Sequence, residues 1–161
     1  MAINAGQYKT SYQTALTDFK STDVEGVGCL RIENGLTYKW VLFSTGGDAV
    51  ASVVRGPVGY LATDTSLHTV CTDYGDCMVL LLAGITLTAA ITTGYYCWIQ
   101  IGGLSGNLVK AITSTGVGKT VTLSADDQLA VIGANTIYPG ATVVDIVGGA
   151  GAEQVYLTCI K

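Results

Sequence analysis

The chain has one histidine, His68, so a Ser-His-Asp or Cys-His catalytic site would have to use it. Cys71 and Asp73 lie close by in sequence and are residue types such chemistry needs. On a strand, however, Cys71 points to the opposite face from His68. A lone histidine in a β protein reads more simply as a surface or packed residue. His68, Cys71 and Cys77 are also metal-ligating types. Their H-x2-C-x5-C spacing lacks the paired close ligands of a closed zinc site, and the fourth ligand would have to come from elsewhere.

Phosphate-binding motifs fail on their own terms. "STGVGKT", Ser114 to Thr120, needs a glycine five residues before Gly118, and that position is Thr113. It also needs a following helix, whereas "TVTLS" has strand character. A glycine turn with a solvated Lys119 explains the stretch better. "GVG" at Gly26 to Gly28 misses the dinucleotide fingerprint because Arg31 stands in for the third glycine. Asp126 and Asp127 are adjacent and point apart, unlike the facing carboxylates of a glycosidase. Asp18, Asp23, Asp64, Asp73 and Asp76 sit in polar loops and form no EF-hand ladder. The expectation is a protein that is not an enzyme and has no cofactor or catalytic residue.

The elements that would position these residues are strands. Charged residues make up 12% of the 161, glycine numbers 21, and Thr and Val are plentiful. That composition suits many short strands and tight turns. A domain of this length buries enough surface to need no disulfide or metal. The net charge is −4, with basic residues scattered, so a nucleic-acid partner is not expected. So few charges on so apolar a chain point to an interface with other subunits. The N-terminus lacks the basic start and apolar run of a secretory signal. The longest apolar run, Met78 to Ile85, is too short for a membrane-spanning helix. A soluble protein made in the cytosol is expected, without a membrane partner. Its five cysteines then read as reduced, buried thiols, with a Cys71–Cys77 bridge as the alternative in an oxidising medium.

Residues 1–23 differ from the rest. Tyr8, Tyr12 and Phe19 are spaced to share one face of a short amphipathic helix. A flexible arm that orders on a partner fits equally, and a frayed terminus is the plainest reading. From Val24 onward strands dominate. Asn34-Gly35 marks a hairpin, with Tyr38 to Phe43 as the return strand. "AVASVVRG" reads as a strand stopped by Gly56-Pro57. "VGYLATD" and "LHTVCTD" are further strands. "MVLLLAGITL" reads as a strand buried on both faces or entering a bulge at Gly84. In "GYYCWIQIGG" Tyr95, Cys97, Ile99 and Ile101 alternate with Tyr96, Trp98 and Gln100, and both faces are bulky. "NLVKAIT", "TVTLS", "QLAVIGA", "ATVVDIVGG" and "QVYLTCI" complete about ten strands. The expected fold is all-β: one compact β-sandwich or β-barrel over 24–161, with an N-terminal arm or short helix over 1–23.

"GLTYKWVLFST", a Gly/Val-rich strand pair and then "ITTGYYCWIQIGG" resemble small, β-rich, DUF2190-like capsid decoration (cement) proteins of tailed bacteriophages. The matching positions are Gly94, Tyr95 or Tyr96, Trp98, Ile99, Gln100 and Ile101. Cys97 stands where the family has a small residue. The resemblance covers Gly35 to Gly103. It implies a structural virion protein that binds the outer surface of the assembled phage head and stabilises the capsid lattice. The implied partner is the major capsid protein, and the implied state a homo-oligomer, either trimer or dimer. Candidate capsid or subunit contacts are Tyr8, Tyr12, Phe19, Tyr96 and Trp98. The alternative is a phage tail, fibre or surface β module that binds a host receptor or glycan. Tyr60, Tyr74 and Tyr138 near turns would serve that role.

Overall fold

The computed structural model of the chain describes residues 11–47, 54–105, 109–110, 112–113, 120–125, 128–131, 141–146 and 152–159. Tyr8, the Ser114 to Lys119 turn, Asp126, Asp127 and Tyr138 lie outside them. The first strand, β1 (Phe19–Lys20), is two residues long. β2 (Leu30–Glu33) and β3 (Leu36–Ser44) form the expected hairpin. Its turn residues Asn34 and Gly35 have φ of 51° and 77°, the left-handed backbone that a two-residue hairpin requires.

Val54 and Arg55 lie in a turn rather than in the expected "AVASVVRG" strand; its residues 49–53 are outside the described set. Pro57 opens a strand instead of closing one: β4 is Pro57–Leu61. The first position of a strand tolerates a missing N–H. β5 (Thr69–Cys71) and β6 (Cys77–Thr86) follow, separated by a short 3-10 helix at Tyr74–Asp76. The bulge expected near Gly84 is present: Val58 pairs with Gly84 and Gly59 with Leu82, leaving Ala83 as the extra residue. Gly84 itself is required, since a Cβ there would run into the Gln100 carbonyl of the next strand, β7 (Tyr96–Leu104).

Five of these strands close on themselves. β3 pairs with β5, β5 with β4, β4 with β6, β6 with β7, and β7 returns to β3. Only the β3–β5 contact in this ring is parallel. The ring is a small barrel, and closure removes the sheet edges that would otherwise stay unpaired. Val41, Phe43, Val58, Tyr60, Val70, Leu82, Ile85, Cys97, Ile99 and Ile101 belong to its buried core. Burial of each such aliphatic side chain stabilises the fold by about 1.5–3 kcal/mol.

The later strands extend the sheet from one end of β7. They are β8 (Val109–Lys110), β9 (Ile112–Thr113), β10 (Thr120–Ala125), β11 (Gln128–Val131), β12 (Ala141–Ile146) and β13 (Ala152–Thr158). β13 pairs with Gly102 to Leu104 of β7, and the order runs on through β12, β10, β11 and β9. The all-β class is as expected. Thirteen strands are described where about ten were expected; β1 was not expected, and the single strand expected over "NLVKAIT" is described as two two-residue segments, β8 and β9.

Residues 11–23 contain no helix. Phe19 and Lys20 instead pair with Cys97 and Tyr96, and the preceding residues lie across the outer face of β7 and β3. Thr14 and Asp18 compete with helix by bonding to neighbouring groups and locally, Asp18 to the Ala15 amide, which favours this looped course.

Candidate functional site

The candidate contact residues converge on one layer outside the barrel. Trp40 of β3 stands opposite Trp98 of β7, with ring centroids 5.3 Å apart. Tyr96 stacks on Trp40 at 6.4 Å, and Tyr12 meets Trp98 edge-on at 5.5 Å. This aromatic floor is roofed by the chain's own N-terminal segment, which acts as a strap.

Thr14 is the centre of the roof. Its hydroxyl accepts the Trp98 Nε1–H at 2.8 Å and donates to Glu25 Oε1 at 2.7 Å. Its amide and that of Gln13 donate to the same Glu25 oxygen at 2.8 and 2.7 Å. Its carbonyl accepts from Arg31 Nη1 at 2.9 Å. The Arg31 guanidinium lies 4.8 Å above the Tyr12 ring and 5.8 Å from the Trp98 ring, a cation–π arrangement, and it pairs with Glu33. Asp23 completes the hold: it accepts from Gly26 N, Val27 N and Trp40 Nε1, the last at 2.9 Å. The Tyr12 hydroxyl donates to Leu30 O at 2.8 Å.

Trp98 is 0% exposed, so it is not available as a capsid or subunit contact. This corrects the reading from the sequence. Alternation put bulky groups on both faces of β7, and residues of the same chain cover the second face. Tyr12 and Tyr96 are half-buried in that layer. Phe19, 38% exposed and packed edge-on against Tyr95 at 5.9 Å, keeps an outward surface. Tyr8 lies outside the described residues. Tyr60, a candidate for exposed recognition under the alternative reading, is fully buried in the barrel, and Tyr74 packs on Cys71 and Cys77.

A second polar feature lies inside the barrel. Lys39 is buried, and its Nζ donates to Leu67 O at 2.8 Å and lies 3.4 Å from the Tyr60 hydroxyl. The ammonium also sits 5.1 Å from the Tyr60 ring centroid. Burial pulls the Lys39 pKa down to about 8, against an opposing pull from Asp64. Burial pushes the Tyr60 phenol up. Leu67 presents its carbonyl from a left-handed backbone, φ 58°. Asp64 shapes the surrounding loop: it accepts from Ser66 N, Ser66 Oγ, His68 N and Thr69 N. Partial burial works to raise the Asp64 pKa, but the bonds from Ser66 and Thr69 outweigh it and hold the carboxyl below the usual range. Sequence reading missed Lys39. The available signal was parity: Lys39 shares the inward register of Val41 and Phe43.

His68 and Cys71 are not brought together for catalysis. The His68 backbone serves Asp64 and Leu42, and its Nδ1 is buried without a hydrogen-bond partner among the described residues. Cys71 joins Cys77 in a disulfide. Among the described residues no three His, Cys, Asp or Glu side chains cluster as a metal site, and no helix is long and apolar enough to cross a membrane. No known protein family, no curated protein and no solved structure matches the chain.

Proposed function

We propose that the chain is a structural virion protein that binds the outer surface of an assembled phage head and stabilises the capsid lattice. Its partner is the major capsid protein, and it acts as a homo-oligomer, a trimer or a dimer. The observation that carries this reading is where the chemically capable side chains go. Lys39, Glu25, Asp23, Arg31 and Asp64 each brace the fold. The result is a braced β body with apolar side chains left on its outside. Leu104 and Tyr156, 39% and 49% exposed, are direct cross-strand partners of β7 and β13. Phe19, Ile32 and Val54 add further exposed apolar surface. The resemblance over Gly35 to Gly103 supports the same role.

The mechanism is linkage: a protein that binds only the assembled shell stabilises it by mass action. Even a micromolar contact, about −8 kcal/mol, becomes strong when an oligomer holds several capsomers at once. The test is co-sedimentation of the purified protein with undecorated expanded heads, together with the heat resistance of those heads. Saturable binding with raised heat resistance is expected. Absence of binding, together with saturable adsorption to host cells, would sink this reading in favour of a receptor- or glycan-binding module.

A further inference from the structure

Cys71 ends β5 and Cys77 begins β6, and together they bracket the 3-10 helix Tyr74–Asp76. The two are joined as a disulfide, with Cα atoms 6.5 Å apart. Each sulfur also has a backbone carbonyl within reach of an S–H. Cys71 Sγ lies 3.4 Å from Asp73 O, and Cys77 Sγ lies 3.5 Å from Cys71 O. A Cα separation of 6.5 Å lies within the range a disulfide spans and also leaves room for the two sulfurs to part as thiols. The other cysteines, Cys29, Cys97 and Cys159, are buried thiols outside this disulfide. Burial raises the Cys97 and Cys159 thiols to about 12, which keeps them protonated and out of exchange chemistry.

The bracketed loop is a support for its neighbours. Asp73 lies against Gly46, and Asp76 Oδ2 accepts the Gly47 amide at 2.6 Å. The Asp76 carbonyl accepts the Ala62 amide at 2.9 Å. The loop thus steadies the turn that leaves β3 and the turn that leaves β4.

We propose that Cys71–Cys77 is a redox-conditional staple, open as two thiols in a reducing compartment and closed in an oxidising one, where it fixes this loop and the Gly46–Gly47 turn. Closure is thiol–disulfide exchange with a low-molecular-weight disulfide such as oxidised glutathione. Cys77, 5% exposed against 0% for Cys71, is the entry point. Its thiolate attacks the small disulfide, breaking that S–S bond, forming a mixed disulfide and releasing one small thiol. The Cys71 thiolate then displaces the second small thiol. Two protein S–H bonds become one S–S bond, and two electrons and two protons leave on the two small thiols. The inference does not depend on the proposed function.

The test equilibrates the full chain in glutathione buffers from fully reduced to fully oxidised, then denatures, alkylates and weighs it. Five labels are expected at the reduced end and three at the oxidised end, with Cys71 linked to Cys77 in the peptide map. The thermal midpoint should rise on oxidation by roughly 5–10 °C, the expectation for so short a closed loop in a chain of this size. Hydrogen exchange at the Gly47 amide should slow by about tenfold or more on oxidation, its acceptor Asp76 then being fixed. The C71S/C77S variant should keep the reduced midpoint and ignore the buffer. Five labels throughout, three labels throughout, a different linked pair, or a variant that still responds to the buffer would each overturn the proposal. The wild-type comparison needs no substitution, so it decides the matter even if the serine variant does not fold.

Discussion

On the inner face of β7, Cys97, Ile99 and Ile101 pack among Val41, Phe43 and Leu82. On its outer face, Trp98 is held through its ring nitrogen by Thr14, and Thr14 is held by Glu25. Both faces exclude water, but by different means. The inner face is sealed by closure of the barrel, with long stretches of paired backbone. The outer face is sealed by a strap that, among the described residues, pairs its backbone with the sheet only at Phe19–Lys20 and otherwise relies on side-chain hydrogen bonds. Apolar burial is non-directional and tolerates small shifts. A polar latch is directional, and one lost partner strands the rest as buried donors without acceptors. The barrel should therefore fail gradually and the strap in one step.

The largest effect should come from Trp98→Ala, at about 3–5 kcal/mol by urea unfolding. Trp98→Phe keeps part of the apolar contact but removes the Nε1–H and the volume of the second ring, so it should cost about 1–3 kcal/mol. A Phe variant as damaging as Ala would mean that the latch, not apolar area, dominates this face.

The inner face has its own polar exception, and pH exposes it. Burial pulls the Lys39 pKa down to about 8 in the fold from its ordinary 10.5. Below about 8 the amine is charged in both states, and the fold carries the full cost of burying it. Between about 8 and 10.5 the folded chain releases the proton while the unfolded chain keeps it, so this group makes stability rise with pH. The rise should total about 3 kcal/mol, and Lys39→Met should abolish it while stabilising the protein at neutral pH. Urea midpoints for both proteins at pH 7, 8.5 and 10 measure the difference. Parallel curves would show that Lys39 is not the buried charge.

Glu25→Gln tests the strap. Gln keeps the shape but weakens an acceptor that serves three donors, at a cost of about 1–3 kcal/mol. Trp40 and Trp98 are the only tryptophans, so a red shift in fluorescence reports the loss of their roof directly. Far-UV circular dichroism should stay unchanged. If both signals collapse together at room temperature, strap and barrel form one cooperative unit and the contrast drawn above is lost.

Legibility in the sequence follows the same divide. Features set by backbone period or turn chemistry could be read: the Asn34-Gly35 hairpin, the two-faced alternation of β7 and the bulge at Gly84. The parallel β3–β5 contact that closes the barrel left no local sign, because it pairs segments separated by a whole intervening strand. The N-terminal arm could be read, but not its hold on the barrel of the same chain, for a different reason. Its hold runs from side chains such as Glu25 and Asp23 to scattered amides and ring nitrogens, which impose no periodicity. Tyr60 was misjudged because nearness to a turn says little in a barrel whose strands are only a few residues long.

The smallest expected effect concerns Asp64, which belongs to neither face but shapes the loop that gives Lys39 its carbonyl partner. Its hydrogen bonds hold the carboxyl below its ordinary value of 3.8. A depressed pKa contributes stability that is complete above about 3.8 and drains away as pH falls below it. Asp64→Asn should therefore flatten the acid limb of the stability curve: it loses at pH 7 the stability that the carboxylate draws from Ser66 and Thr69, and it converges on the wild type as pH falls. Thermal midpoints of both proteins at pH 2.5, 4 and 7 test this. Because Leu67 lies inside the same loop, the variant should also loosen the Lys39–Leu67 bond and shift the alkaline rise. An acid limb equally steep in Asp64→Asn would show that protonation of Asp64 is not what weakens the fold in acid.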